Sequence, residues 1–219
     1  MDVIRYFMLA VFFLSAGIHL YASWKKDKPL RNKTKPIIVL SLLVFYCCTA
    51  DPILLTVVAA LFFSWLGDVL LIPKGNKWFT AGGIAFIFSH IFFIISYARQ
   101  VDFKAFSPGL AVLLVVFFVS AALLWFRYLR PHLPEKLFYP MLIYLIINGL
   151  MNCFAWFRSL TIGGAAGFIT ALGALLFFVS DSTLFYVRFH KRSRLKTHFT
   201  VMLTYILAEF LIVLGLLMK

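Results

Sequence analysis

"LFFSWLGDVLLIPKG", residues 61–75, sets one carboxylate, Asp68, into an otherwise nearly unbroken apolar run that ends at Lys74. The chain around it has the same character. Of its 219 residues 63% are hydrophobic and 13% charged, with a mean hydropathy of +0.97, well outside the range of soluble domains. Apolar stretches of about 20 residues recur between short Lys/Arg-rich connectors, and each can cross ~30 Å of hydrocarbon as a helix rising ~1.5 Å per residue. The pattern predicts an all-α polytopic membrane protein, a single transmembrane helical domain over 1–219, with eight spans at 3–22, 36–50, 52–72, 78–97, 107–128, 137–157, 162–186 and 197–218. The first is read as a retained span, because its basic cluster (Lys25, Lys26, Lys28) follows the apolar run, whereas a signal peptide carries it in front.

Lys and Arg of short loops collect on the cytoplasmic side of a membrane. Eight spans put sixteen of these residues on one side, among them Lys25 to Lys35, Lys74, Lys77, Arg188 and Lys191, against five (Arg5, Arg99, Lys104, Arg158, Lys219) on the other. Both termini are therefore expected outside and the basic loops in the cytoplasm. Insertion topology and anionic headgroups account for the net charge of +13, so no nucleic-acid partner is expected. Cys47, Cys48 and Cys153 form no metal or disulfide pattern and read as small apolar residues.

Three of the eight acidic residues, Asp68, Asp181 and Glu209, fall inside predicted spans. Each would cost about 2.5–3.5 kcal/mol at the bilayer centre, so such residues are functional candidates by default. Helical spacing shows what shares their faces. Ser64 lies one turn before Asp68, Ser15 before His19 and Tyr205 before Glu209; Tyr144, Asn148 and Asn152 form a stripe, as do Gly83, His90 and Tyr97. By the helical rise Asp68 and Asp181 come out roughly 6–8 Å from the cytoplasmic ends of their spans, with His90, Asn148 and Glu209 deeper. An internal cavity open toward the cytoplasmic leaflet is the simplest expectation. Asp68 and Asp181 each close an aromatic-rich run, "LFFSWLGD" and "LLFFVSD", which leaves room for a parallel repeat of two four-helix halves. Gly163 and Gly167 read as a small-residue face for close helix packing.

The segments "SWLGDVLL" at 64–71, "GGIAFIFSHIFFIISY" at 82–97 and "GALLFFVSDSTL" at 173–184 resemble the lysoplasmalogenase (YhhN-like) family of eight-span membrane proteins. The resemblance rests on Gly67, Asp68 and Leu71; on Gly83, Phe86, His90 and Tyr97; and on Gly173, Ala174, Phe177, Ser180 and Asp181. At 209 the chain has glutamate where family members usually have glutamine. The resemblance implies cleavage of the vinyl ether bond of a lysophospholipid, with Asp68 and Asp181 catalytic and no cofactor or metal required.

Vinyl ether hydrolysis needs a proton donor and an ionised group that stabilises an oxocarbenium ion and activates water, demands that parallel glycoside hydrolysis by two carboxyl groups. Asp68 and Asp181 are the expected pair, in either order. Ser64, His90, Asn148, Ser180, Tyr205 and Glu209 are expected to line the pocket or orient water, and Lys74 and Arg188, with Lys77 and Lys191, to hold the lipid phosphate. Two other readings use the same residues: a zinc-dependent lipid hydrolase with His19, His90 or His198 as ligands, and a proton-coupled transporter. A bacterial inner membrane is the expected location; the oligomeric state is not legible.

Overall fold

A computed structural model describes residues 2–190 and 197–218. Among these residues the chain is helical, without strands: α1 (Asp2–Lys25), α2 (Lys28–Thr49), α3 (Leu55–Leu70), α4 (Asn76–Ala98), α5 (Pro108–Leu129), α6 (Phe138–Ile162), α7 (Gly164–Phe189) and α8 (Thr197–Leu217), with 3-10 turns at Arg130–His132 and Glu135–Leu137. Six of the helices, α1 and α4 to α8, are long and apolar enough to cross a bilayer. With 16 residues α3 is a shorter apolar helix, about 24 Å at the standard rise.

The second predicted span begins eight residues too late. Asp27 accepts a hydrogen bond from the Leu30 backbone N–H at 3.1 Å and Pro29 occupies the first turn, so α2 starts at Lys28. A capping carboxylate and a first-turn proline are favourable helix starts. Lys28, Arg31, Lys33 and Lys35, expected in a loop, are thus helical. Ser107 and Pro108 start α5 in the same way, the serine hydroxyl accepting from Leu110 N–H at 3.2 Å.

The chain divides into two compact units, Met1–Phe93 and Ile94–Lys219, the boundary falling within α4. In the first, α2 packs against both α1 and α3. Gly67 of α3 leaves room for the Phe86 ring of α4, which a methyl group there would meet at 2.6 Å. In the second unit α6 packs between α5 and α7, and α8 lies along α7. Phe118 of α5 with Cys153 and Phe157 of α6 forms a buried apolar cluster against which Phe106, Leu114 and Phe154 pack. Cys153 thus serves as the small apolar residue expected. On α5, Val112, Leu113, Val116, Phe117 and Leu124 are exposed, an apolar surface suited to lipid.

Small residues set the helix spacing in this second unit. Gly163 is not on a packing face: with φ of +69° it ends α6, and Gly164 at +58° begins α7, a left-handed turn that glycine adopts without a Cβ clash. Gly167 does pack closely, since a methyl group there would lie 2.8 Å from Ser159 Cα. At Gly173 it would lie 2.8 Å from the Ile212 backbone N and 2.9 Å from the Ala208 carbonyl O of α8. Backbone cannot step aside as a side chain can, so Gly173→Leu is expected to destabilise the protein by about 1–3 kcal/mol, the range for overpacking. Gly17→Ala, where nothing lies within 4 Å, should stay within about 1 kcal/mol of the parent. Thermal unfolding midpoints in detergent give the comparison.

Candidate functional site

Each unit buries a polar centre built on a motif aspartate. In the first, Asp68 stands at the C-terminal end of α3 and is 2% exposed. Lys35 of α2 reaches it, with Nζ 3.2 Å from Oδ1. One turn before Asp68, the Ser64 hydroxyl pairs with that of Ser89 on α4 at 2.8 Å. On α1, buried His19 lies with Nδ1 2.8 Å from Thr34 Oγ1 of α2. The Thr34 hydroxyl also lies within hydrogen-bonding distance of the carbonyls of Leu30, at 2.9 Å, and Arg31, at 3.2 Å. Buried His90 donates from Nδ1 to the Phe86 carbonyl of its own helix.

In the second unit the centre is Asp181 of α7. Its Oδ2 accepts from the Tyr144 hydroxyl at 2.6 Å and from Asn148 Nδ2 at 2.8 Å, both on α6. Asn152, a turn further on, donates from Nδ2 to the Asn148 carbonyl at 3.1 Å and Oδ1 at 3.2 Å. A carboxylate oxygen can only accept here, so Asn148 must present its amino group to Asp181 and its oxygen to Asn152. The i, i+4, i+8 stripe of α6 is therefore one hydrogen-bonded ladder ending on a carboxyl group. Tyr205 and Glu209 are buried on α8, the tyrosine edge-on to Phe177 at 5.4 Å.

The remaining candidates divide. Ser180 donates to the Val201 carbonyl of α8 at 3.0 Å, so its hydroxyl ties α7 to α8. Lys74, Lys77, Arg188 and His198 are exposed, and Lys191 lies outside the described residues. Among the described residues no three His, Cys, Asp or Glu side chains gather as a metal site requires.

Two groups escaped the sequence reading. Lys35 falls in a predicted loop, and only the Asp27–Pro29 helix start points to its helical place. Arg158 falls among the charges expected on the outer side, yet it is 2% exposed. Its guanidinium donates to Gln100 Oε1 at 2.7 Å, to Thr170 Oγ1 at 2.8 Å, and to the carbonyls of Ala166 at 3.3 Å and Gly215 at 3.2 Å. One side chain thereby joins α6 to α7, α8 and the turn after α4.

The YhhN family model matches residues 30–216. The chain belongs to the YhhN family. Proteins of two Escherichia coli strains (O6:H1 and O157:H7) and of Shigella flexneri, each named "Uncharacterized membrane protein YhhN", are 30% identical to it over 185 residues, covering 83% of this chain and 85% of theirs. No solved structure matches. Together with the apolar helices these relatives make it a multi-pass membrane protein.

The residues that carried the resemblance have physical work in this YhhN-family chain. Gly67 admits Phe86, Gly173 admits the α8 backbone, and Ser180 fastens the turn that presents Asp181. Tyr144→Phe removes a donor to Asp181 Oδ2, and is expected to cost about 1–3 kcal/mol, as removal of a partner to a buried polar group does. Chemical unfolding of purified parent and variant under the same detergent conditions reads the difference.

Proposed function

We propose that this YhhN-family protein is a membrane-embedded hydrolase that cleaves the vinyl ether bond of lysoplasmalogens, releasing a fatty aldehyde and a glycerophospho-alcohol. The observation that carries this reading is the pair of buried motif carboxyls, Asp68 and Asp181, each built into a hydrogen-bonded polar centre of an otherwise apolar helical protein. Carboxyl groups in such surroundings are costly and are kept for chemistry or transport.

The reaction suits two carboxyl groups. One donates its proton to the β-carbon, the π pair of the double bond forming the new C–H bond and leaving an oxocarbenium ion at the α-carbon. The other, ionised, stabilises that cation and takes a proton from water as the water oxygen bonds to the α-carbon. The hemiacetal then returns its hydroxyl proton to the first carboxylate while the second protonates the departing ether oxygen. Aldehyde and alcohol leave, and both carboxyl groups regain their starting states.

Ser64, His90, Asn148, Tyr205 and Glu209 line the path of substrate and water in this reading, and the exposed Lys74 and Arg188 hold the lipid phosphate. The protein crosses a bacterial inner membrane eight times with both termini outside. A reporter active only outside the cytoplasm should work when fused after Lys219 and fail when inserted after Lys74.

Purified protein incubated with a lysoplasmalogen should release aldehyde, and Asp68→Asn and Asp181→Asn should each lower turnover about 100-fold or more, the usual contribution of a positioned acid or base. Full turnover in both variants would sink the two-carboxyl mechanism. Absence of aldehyde from the parent would sink the substrate.

A further inference from the structure

We propose that Asn152 of α6 selects the substrate: its buried amide oxygen accepts the hydrogen bond of the free sn-2 hydroxyl of a lysoplasmalogen whose vinyl ether stands at Asp181. The inference rests on the vinyl ether reading above and deepens it, because it names the residue that tells the lyso form from a lipid acylated at that hydroxyl.

Backbone fixes the orientation of the Asn152 amide. Its Nδ2 donates to the Asn148 carbonyl at 3.1 Å and to Asn148 Oδ1 at 3.2 Å. A backbone carbonyl oxygen only accepts, so the nitrogen of Asn152 must face Asn148 and the oxygen must point away from it. Both amide protons are thereby spent, and what remains is an acceptor. Asn152 is fully buried, and no donor among the described residues reaches its Oδ1. A buried polar atom left in that condition costs about 1–3 kcal/mol, which a ligand that brings a donor recovers.

The place of this oxygen matches the substrate. Asn148 donates from Nδ2 to Asp181 Oδ2 at 2.8 Å, and Asn152 follows one turn along α6, a rise of ~6 Å. In a lysoplasmalogen the β-carbon that takes up the proton and the sn-2 hydroxyl oxygen are five bonds apart, about 6 Å at full stretch. A vinyl group placed at Asp181 therefore brings the hydroxyl level with Asn152. Asn148, Asn152 and Asp181 all belong to the second unit, where Arg158, further along α6, bonds Thr170 of α7 at 2.8 Å and holds the two helices in register.

The chemistry of the lipid leaves one partner for Oδ1. Ether and phosphate oxygens only accept, and the quaternary ammonium of a choline headgroup carries no proton, so the sn-2 hydroxyl is the donor of a choline lysoplasmalogen. Acylation of that hydroxyl removes its proton and sets an ester oxygen against the amide oxygen, two acceptors face to face.

Turnover of lysoplasmenylcholine by the full-length protein is compared with that of its sn-2-deoxy and sn-2-methoxy analogues, which keep the vinyl ether and cannot donate. The parent is expected to favour the hydroxyl substrate about 10- to 100-fold in kcat/KM over each analogue, the effect of leaving a buried polar atom unpaired. Asn152→Leu and Asn152→Ala should each bring these ratios to within about threefold of one, through loss on the hydroxyl substrate. Tyr144→Phe, which disturbs the Asp181 end of the same ladder, should slow all three lipids and keep the parental ratios.

Equal turnover of lysoplasmenylcholine and the deoxy analogue by the parent would overturn the proposal without any variant. A folded Asn152 variant that keeps the parental ratios, or slows all three lipids alike, overturns it as well, since the residue then serves only the ladder or a water. So does a Tyr144→Phe that loses the ratios, because any disturbance of the ladder would then suffice. Thermal unfolding identifies the variants that fold. No aldehyde from the parent with any of the three lipids removes the reaction and this role together, whereas an active parent indifferent to the hydroxyl removes the role alone.

Discussion

The cost of holding a carboxyl group among apolar helices governs the rest of this structure. Water and lipid both fail to solvate a side chain in the packed interior of a membrane protein, so each acidic group there needs donors from neighbouring helices. Asp68 and Asp181 meet that requirement in opposite ways. Asp68 takes an ammonium from α2, and Asp181 takes a phenol and an amide from α6. The two partnerships differ in kind, an ion pair in the first unit and hydrogen bonds from uncharged groups in the second.

Such partners are useful only if the helices that bring them cannot slide. Small residues provide that constraint close to each centre. Gly67, the residue before Asp68, lets the Phe86 ring lie against α3, and Phe86 in turn offers its carbonyl to His90. Gly173, two turns before Asp181, brings α7 onto the backbone of α8, and Ser180 adds a hydrogen bond to the Val201 carbonyl. In a membrane protein close backbone approach and interhelical hydrogen bonds replace much of the hydrophobic drive that assembles soluble cores. The glycines of these motifs are part of the polar centres' support, and the carboxyl groups are held by packing as much as by hydrogen bonds.

Much of this was readable in the sequence because helical periodicity is a strong signal in long apolar runs. The stripe Tyr144, Asn148, Asn152 appears as a ladder on α6, and the buried acids were marked by their rarity. What could not be read was tertiary pairing across helices. Ser64 shares a face with Asp68 yet bonds to Ser89, because a serine hydroxyl finds the nearest equal partner. Ser180 sits beside Asp181 but is spent on α8 backbone, as hydroxyls in apolar helices commonly are. Lys35 and Arg158 were hidden by the rule that assigned them to loops: a count of positive charges tells which side a connector faces, and nothing of which cations the folded chain draws inside.

Arg158 shows why that distinction matters for the site. It satisfies its charge with neutral acceptors, two carbonyls, a hydroxyl and an amide oxygen, spread over α7, α8 and the turn after α4. Guanidinium suits this, since its planar fork reaches several acceptors at fixed angles, which an ammonium on a flexible stem does not. Four acceptors on three separate segments restrain the rotation and the sliding of α7 relative to α6 and α8. The Asp181 cluster draws its donors from α6 and its serine anchor from α8, so both depend on the register that Arg158 fixes two to three turns away. A hydrogen bond of 2.6 Å between Tyr144 and Asp181 tolerates little helix displacement before it is lost. The buried cation and the buried carboxyl group are thus coupled through the helices that carry them, and the geometry of the Asp181 cluster depends on a side chain that belongs to another hydrogen-bonded network.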